Sequence, residues 1–582
     1  MTDENETVWL GIDLGTQSVR ALAVTGDGRV LGAGTAALTG RRDGARHEQE
    51  PGEWWEAVRT ATGAALRPLP GARLGGLAIC GTSGTVLLTD LTGRPLTPAL
   101  MYDDRRARAE AETLREAGLA VQDTWGLPKG LWLWREYGGG VGAGGAGADT
   151  SGPRPGAHAG GLGAGTSGPR PGAAAGGPGA GADGEHASST GPRSSSGPRS
   201  SSGPCSSSGP LRSSGFPRSS GLRLAHQPDV ITALLVGHPV PADASHALKS
   251  GYDLERGAWP EVDLARDLYR DLGLPEVVPP GTRLGEVCAA AAEATGIPAG
   301  TPVIAGMTDG CAAQIAAGAL RPGSWNSVLG TTLVLKGATA DPVRDPTGVV
   351  YNHRAPDGTW LPGGASSVGA GALPAVPDPA AMDARAAAFE PSGTLTYPLV
   401  SPGERFPFLA PDATALTLGT PADEADRWAG LLQGVAFAER LCLDYLHHLG
   451  APLDGPLTFT GGAARSAYWN QLRTDILGRP ARIPEQTEPA LGMAALAAHG
   501  VTGEPLPDIA ERMVRIRTTL DPNPKRTALF VEQYARLVDE LTERGWLPPH
   551  VAAHPHSSPP RGAGNCATSH DGAAPTDDRT TP

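Results

Sequence analysis

Two stretches far apart in the chain pair an aspartate with a glycine-rich turn, the residue types that phosphate chemistry needs. In Gly11-Ile-Asp13-Leu-Gly15-Thr16-Gln17-Ser-Val-Arg20 an aspartate ends an apolar run. A carboxylate there can hold a hydrated Mg2+, and a Gly-Thr turn lets backbone N–H groups and a hydroxyl approach phosphate. The same pattern also suits an ordinary β-hairpin with an aspartate near its turn. In Gly306-Met-Thr-Asp309-Gly310 the aspartate stands where a strand gives way to a helix. It either caps that helix or takes a hydroxyl proton as phosphate is attacked. Gly330-Thr331-Thr332, between two apolar runs, offers a second phosphate turn, and with the first it makes a clamp from two sides. Phe459-Thr-Gly461-Gly462-Ala-Ala-Arg-Ser466 removes side chains between a strand and a helix. A flat ring such as adenine could lie there, although close strand–helix packing explains the glycines equally well.

Other chemistries fail on spacing. The chain has four lysines (Lys129, Lys249, Lys336 and Lys525), and none follows the glycines of a P-loop. No His-Glu-x-x-His occurs, and His47, His226 and the pair His447-His448 lack metal-ligand spacing, so they read as ordinary polar residues. The 6 cysteines are scattered without a Cys-x-x-Cys pair, which supports neither a zinc cluster nor a disulfide framework. Gly140-Val-Gly142-Ala-Gly-Gly145 spells a dinucleotide fingerprint but follows no strand and opens no helix. A net charge of -13 argues against a nucleic-acid or anionic-membrane partner held by bulk charge. No apolar run approaches the ~18 residues of a membrane helix, and the acidic start is unlike a targeting leader. The expectation is a soluble, cytoplasmic protein.

The elements that must position these residues alternate between strand and helix. Short apolar runs at Val8–Ile12 and Val19–Val24 flank the first Gly-Thr turn, and Ser327–Leu329 and Leu333–Leu335 flank the second. Leu77–Cys80 and Val86–Leu88 repeat the strand pattern around Gly81-Thr82-Ser83-Gly84, and Thr301–Ile304 leads into the Asp309 segment. Trp428, Leu431, Leu432, Val435 and Ala438 share one face of a helix over 423–449 that Gly450 closes. One hairpin device thus appears early in each half, which predicts two related α/β lobes with a cleft between them. Residues 138–220 stand apart: 52 of these 83 are glycine, proline or serine, too few apolar groups to offset ordering entropy. We expect a disordered insertion there and a disordered tail over 548–582.

Taken in order, these segments resemble the FGGY carbohydrate kinases of the actin-like ATPase superfamily, and within them the D-ribulokinase and xylulokinase-like branch. Supporting strings are Gly81-Thr-Ser-Gly-Thr-Val-Leu-Leu-Thr-Asp90, Leu100-Met-Tyr-Asp-Asp-Arg-Arg-Ala107, Ala247-Leu-Lys-Ser-Gly-Tyr-Asp253, Gly306 through Gln314, and Trp360-Leu-Pro-Gly-Gly-Ala-Ser-Ser367. The resemblance implies an α/β fold of two actin-like (ribonuclease H-like) lobes, over 8–318 and 319–547. It implies ATP and Mg2+ as cofactors and a ketopentose as acceptor. Asp309 aligns with the family's catalytic base, and Asp13 with its metal-associated aspartate beside Gly15, Thr16, Gln17 and Arg20. Further nucleotide contacts fall at Gly330, Thr331, Gly364, Gly461, Gly462 and Ser466. The sugar pocket draws on Thr82, Ser83, Gly84, Thr85, Asp104, Arg106 and Asp243. Two departures stand out. Xylulokinases usually carry Met-His where this chain has Val86-Leu87, which tilts the acceptor toward D-ribulose, and His246 replaces a frequent asparagine. Another polyol or ketose, an actin-like ATPase of the chaperone or filament type, an inactive sugar-binding protein and a homodimeric assembly all stay open.

Overall fold

A computed structural model describes residues 6–137, 221–260 and 272–552. The proposed insertion, its fingerprint-like glycines and the tail beyond residue 552 lie outside the described residues. The first sheet runs in the order Arg283–Glu286, Pro302–Ile304, Leu74–Gly81, Val8–Leu14, Ser18–Thr25, Val30–Ala37. Val8–Leu14 pairs antiparallel with Ser18–Thr25, so that Asp13 faces Arg20, and parallel with Leu74–Gly81, so that Asp13 faces Cys80. Every residue of Val8–Leu14 is buried, because helices cover both faces of the sheet.

Alternation along that strand decides which side each residue serves. Leu10, Ile12 and Leu14 pack with Trp54, Val58, Ile231 and Leu235 of helices Pro51–Leu66 and Gln227–Val236. Gly11 and Asp13 face the opposite side, where helices Asp309–Ala316 and Pro489–Thr502 lie. Those helices are built on alanine and glycine because the backbones nearly touch. A Cβ on Gly11 would fall 1.7 Å from the Ala490 carbonyl oxygen, and one on Gly492 2.1 Å from that of Ala312. Helix Pro489–Thr502 follows most of the second sheet in sequence, yet it packs on the first.

The second sheet repeats the first. Its order is Tyr351–Arg354, Trp360–Ala365, Leu333–Gly337, Trp325–Leu329, Leu457–Thr460, Ala481–Pro484, Ile516–Leu520. From Trp360–Ala365 onward the polarities match the first sheet read from Val30–Ala37: an antiparallel hairpin, two parallel neighbours and a closing antiparallel strand. The hairpin expected in each half is present in both. Helix Glu424–His448 spans 25 residues and is buried around most of its circumference rather than on one face.

One sequence expectation separates. Leu74–Gly81 and Val86–Asp90 flank the Gly81–Gly84 turn but enter different sheets. Val86–Asp90 joins Leu222–His226, Ala99–Leu100, Arg46–Gln49 and Arg41–Asp43 in a five-stranded sheet backed by helix Gly126–Tyr137. Val86 and Leu87 are fully buried within it. The Val86-Leu87 departure therefore concerns core packing, and it gives no ground for preferring D-ribulose over D-xylulose.

Candidate active site

The two aspartates flank the C-terminal end of Leu74–Gly81, one from the strand on each side of it, where open α/β sheets bind their ligands. Asp13 lies beside Cys80, the next residue Gly81 bridges to Thr308, and Asp309 follows. Strand spacing puts the Asp13 and Asp309 backbones roughly 10 Å apart, room for a transferring phosphoryl group. The Cys80 thiol donates to Asp13 Oδ1 at 3.4 Å. Burial, with repulsion from Asp309 next, raises the Asp13 carboxyl to about 7.

Asp309 is the first residue of helix Asp309–Ala316, with Thr308 at the cap position. Its Oδ1 accepts the Gly310 N–H at 2.8 Å. Burial raises its pKa against that hydrogen bond and the charges of Lys249, His246 and Lys336. A base held above the ordinary carboxylate range is better matched to a hydroxyl proton. Ser245 fixes its approach: its Oγ accepts the Thr308 N–H at 2.9 Å and donates to Thr308 Oγ1 at 3.1 Å.

The nucleotide turns are separately braced. Gln49 Nε2 donates to the Thr16 carbonyl at 2.6 Å and its Oε1 accepts from Trp54 Nε1, while Arg20 pairs with Glu488 at 2.6 Å. Gln17 is exposed, and Gly15 is partly so. In the other half the Ala370 and Gly371 N–H groups donate to the Gly330 and Thr331 carbonyls at 3.0 Å, leaving Thr331 exposed. Gly461 has φ +82 and lies against the Leu329 backbone, a conformation and an approach that a side chain would oppose. Gly462 opens a short 3-10 turn and is exposed, and Ser466 caps helix Ala467–Leu477 by accepting the Trp469 N–H. Ser466 also donates to Asp383, so its hydroxyl serves the fold. Gly364 is not brought to the site, since it faces the Phe406 ring in the second core.

On the sugar side, the Thr82–Thr85 turn is held by Gln227, whose Oε1 accepts the Thr82 N–H at 2.9 Å and hydroxyl at 2.8 Å. Ser83 Oγ is buried without a hydrogen-bond partner in the protein. Gly84 passes close to the Lys249 side chain. Three expected sugar contacts are spent elsewhere. Asp104 accepts from the His47 N–H and from Arg106, whose guanidinium also reaches Glu48 and stacks on Trp132. Asp243 accepts the His246 N–H at 3.0 Å and its Nδ1–H at 2.6 Å. His246 Nε2 meets the Gly81 carbonyl at 3.2 Å. Both ring nitrogens therefore face acceptors. Burial opposes the charge, but Asp243 outweighs it and the His246 pKa rises. His47 and His226 are likewise held by Asp103 and Asp229, as ordinary structural residues.

The sequence reading singled out His246 by its departure from the resemblance but missed Cys80, Ser245, Lys249, Lys336, Tyr351 and His353, of which only the two lysines carried a signal, their scarcity. Lys129 is fully buried and donates to the carbonyls of Gly84 and Met101 at 3.1 and 2.6 Å. Burial lowers its pKa from 10.5 to about 7, against Asp104. Between those values the unfolded chain binds more protons, so stability rises with pH by up to about 1.4 kcal/mol per unit. Below about pH 7 the cost of the buried charge is fully present. The Tm difference between this protein and Lys129→Met should move in favour of the lysine as pH rises from about 7 to 10. A flat difference over that range would refute the shift.

Among the described residues no helix is long and apolar enough to cross a membrane, and no three His, Cys, Asp or Glu residues gather into a metal cage. The N-terminal domain model of the FGGY family of carbohydrate kinases matches residues 8–126, and its C-terminal domain model matches 325–501. The chain belongs to the FGGY family of carbohydrate kinases. This FGGY kinase is 28% identical over 515 residues to the xylulose kinase of Streptomyces coelicolor, covering 86% of its own chain and 90% of that one. It is 28% identical over 290 residues to the ribulokinase of Geobacillus thermodenitrificans, 44% of this chain and 51% of that one. The structure of xylulose kinase from Rhodospirillum rubrum matches with a TM-score of 0.70 at 23% identity, covering 92% and 99% of the two chains. The FGGY kinase has the α/β fold of two actin-like, ribonuclease H-like lobes around a cleft, and it is an ATP-dependent sugar kinase.

Proposed function

We propose that this kinase transfers the γ-phosphoryl group of ATP to a hydroxyl of a small open-chain ketose, with D-ribulose and D-xylulose as its reference acceptors. The observation that carries this reading is the placement of Asp13, at the end of Val8–Leu14, and Asp309, at the start of the helix after Pro302–Ile304, on either side of the end of the intervening strand Leu74–Gly81. Relatives that act on xylulose and ribulose support the ketose class. In the reaction the acceptor oxygen bonds to phosphorus, the bond from γ-phosphorus to the bridging oxygen breaks, and ADP leaves. Asp309 accepts the hydroxyl proton, and Ser83 is free to bind a sugar hydroxyl.

The residues present suit Mg2+. Asp13 carries a buried carboxylate whose side-chain partner is one thiol and which a second carboxylate repels. Magnesium usually takes one or two carboxylates, with phosphate oxygens and water completing its shell. Bound there, it would neutralise charge on the transferring phosphoryl group. The Gly15 and Gly330 N–H groups close their own turns on the Ser18 and Thr332 carbonyls, which leaves Thr16 and Thr331 to hold phosphate oxygens, and closure of the lobes excludes water as a competing acceptor. A cytoplasmic location fits this use of ATP. A coupled ADP assay tests the reading: ADP release should rise from background only when an acceptor sugar is added. Sugar-independent ATP hydrolysis at the same rate would favour an ATPase instead.

A further inference from the structure

The half of the cleft facing the acceptor holds more positive charge than the proposed chemistry uses. Lys336 is 3 % exposed, and its Nζ is buried with no hydrogen-bond acceptor. Its strand explains its direction. Leu333 and Leu335 enter the second core, so Lys336, one position on, points to the other face, where its stem passes 3.1 Å from the Cβ position of Gly310 beside Asp309. From the other half of the chain comes Lys249, and both Nζ atoms sit 5.3 Å from the centre of the Tyr351 ring. His353 lies within the field of both lysines, and its Nδ1 is also buried without a partner.

Local charges do not balance. His246 pairs with Asp243, and Asp13 stands on the nucleotide side as the proposed magnesium holder, which leaves Asp309 as the carboxylate facing the two lysines. The chain otherwise meets its need for cations with arginine: only 4 of its 48 basic side chains are lysine, and Lys525 alone among them is fully exposed. A compact ammonium suits a confined site that a planar guanidinium would overfill. Lys336 is also remote from the nucleotide turn. It is four positions from Thr332 along the strand, about 13 Å, while Lys249 borders Gly84 of the sugar turn. The γ-phosphoryl group passes between Asp13 and Asp309, so the lysine pair, which borders the sugar turn through Lys249, is left to face an anion on the acceptor.

We infer that Lys336 and Lys249 form an anion subsite beside Asp309, and that the preferred acceptor is an open-chain sugar bearing an anionic group, a sugar acid rather than a neutral ketose. This rests on the kinase reading and replaces its neutral ketose with an anionic acceptor. The transfer keeps the balance given above, and the anionic group is a bystander that orients the chain.

The test is a coupled ADP assay of the full chain with three sets of acceptors. D-ribonate, D-gluconate and a ketogluconate carry a carboxylate, ribulose phosphate carries a phosphate, and D-ribulose and D-xylulose are neutral. Sugar acids should exceed the neutral ketoses in kcat/KM by about 100-fold, since a buried charge left unpaired discriminates strongly. Lys336→Met and Lys249→Met should each cut that ratio by at least about tenfold. Lys336→Met should also raise Tm, because it removes a buried charge without a hydrogen-bond acceptor. A preference for ribulose phosphate would keep the anion subsite but assign it to phosphate. Neutral ketoses matching the acids, or a Tm that falls in Lys336→Met, overturns the subsite and leaves the kinase standing. Silence with every acceptor brings down the kinase reading and the subsite together.

Discussion

Asp309→Asn should lose sugar-dependent ADP release by about 10²–10⁴-fold, the range for removing a general base. The replacement is nearly isosteric, and Gly310 N–H can still donate to its carbonyl oxygen, so the helix start should hold. ATP affinity should change by less than about threefold, since the nucleotide turns lie on other elements. A second readout follows from geometry. Asp309 is one of the charges that raise the Asp13 pKa, so the variant should bring the Asp13 pKa down, visible as a shift in the side-chain carboxyl resonance. Turnover at the original rate would remove Asp309 from the chemistry. An unchanged Asp13 would place the two carboxylates too far apart to share a phosphoryl group.

Glu439→Ala should destabilise the second lobe by about 3–5 kcal/mol, the cost of stranding a buried charge. Arg473 and Glu439 are both fully buried, joined through Nε at 2.7 Å and Nη2 at 2.9 Å. The same guanidinium donates to Ser327 Oγ at 2.9 Å and lies 3.7 Å from the centre of the Phe459 ring. Ser327 precedes the Gly330-Thr331 turn, and Phe459 precedes Gly461-Gly462. One ion pair therefore braces both nucleotide turns of this lobe, and the single variant should raise the KM for ATP as well. Replacing both partners, as Glu439→Leu with Arg473→Met, should cost far less than the two single changes summed, because no charge remains buried alone. Urea unfolding of the four proteins decides this, and simple additivity would refute the coupling.

Much of this molecule was legible in the chain because periodicity and turn chemistry are local. Both Gly-Thr hairpins, the helix closed by Gly450 and the strand leading to Asp309 follow from residues within one element. Of the candidate site, Asp13, Asp309 and the glycine turns were legible, because each is a residue type at a fixed place in a strand–turn unit. Asp104, Arg106 and Asp243 were placed in the sugar pocket, yet Arg106 pairs with Asp104 and His246 with Asp243 within one turn of chain, and only the fold adds His47 and Glu48 to the first pair. Val86 and Leu87 seemed a statement about substrate and proved to be core. Burial and hydrogen-bond satisfaction are properties of the surroundings, which a string of residue types does not contain.

The sequence by itself determined the strand–turn–helix alternation, the phosphate turns and the two aspartates, since each needs a residue type at a short fixed spacing. Tertiary structure decided that Asp13 and Asp309 share one face, that helix Pro489–Thr502 crosses to the first sheet, and that Lys336 meets Lys249 over Tyr351. Lys249 and Lys336 are 87 positions apart, Asp13 and Asp309 296, and Gly11 and Ala490 479. Only packing can bring such residues within reach, because the energy that orders them comes from buried surface and paired charge rather than from neighbours along the chain.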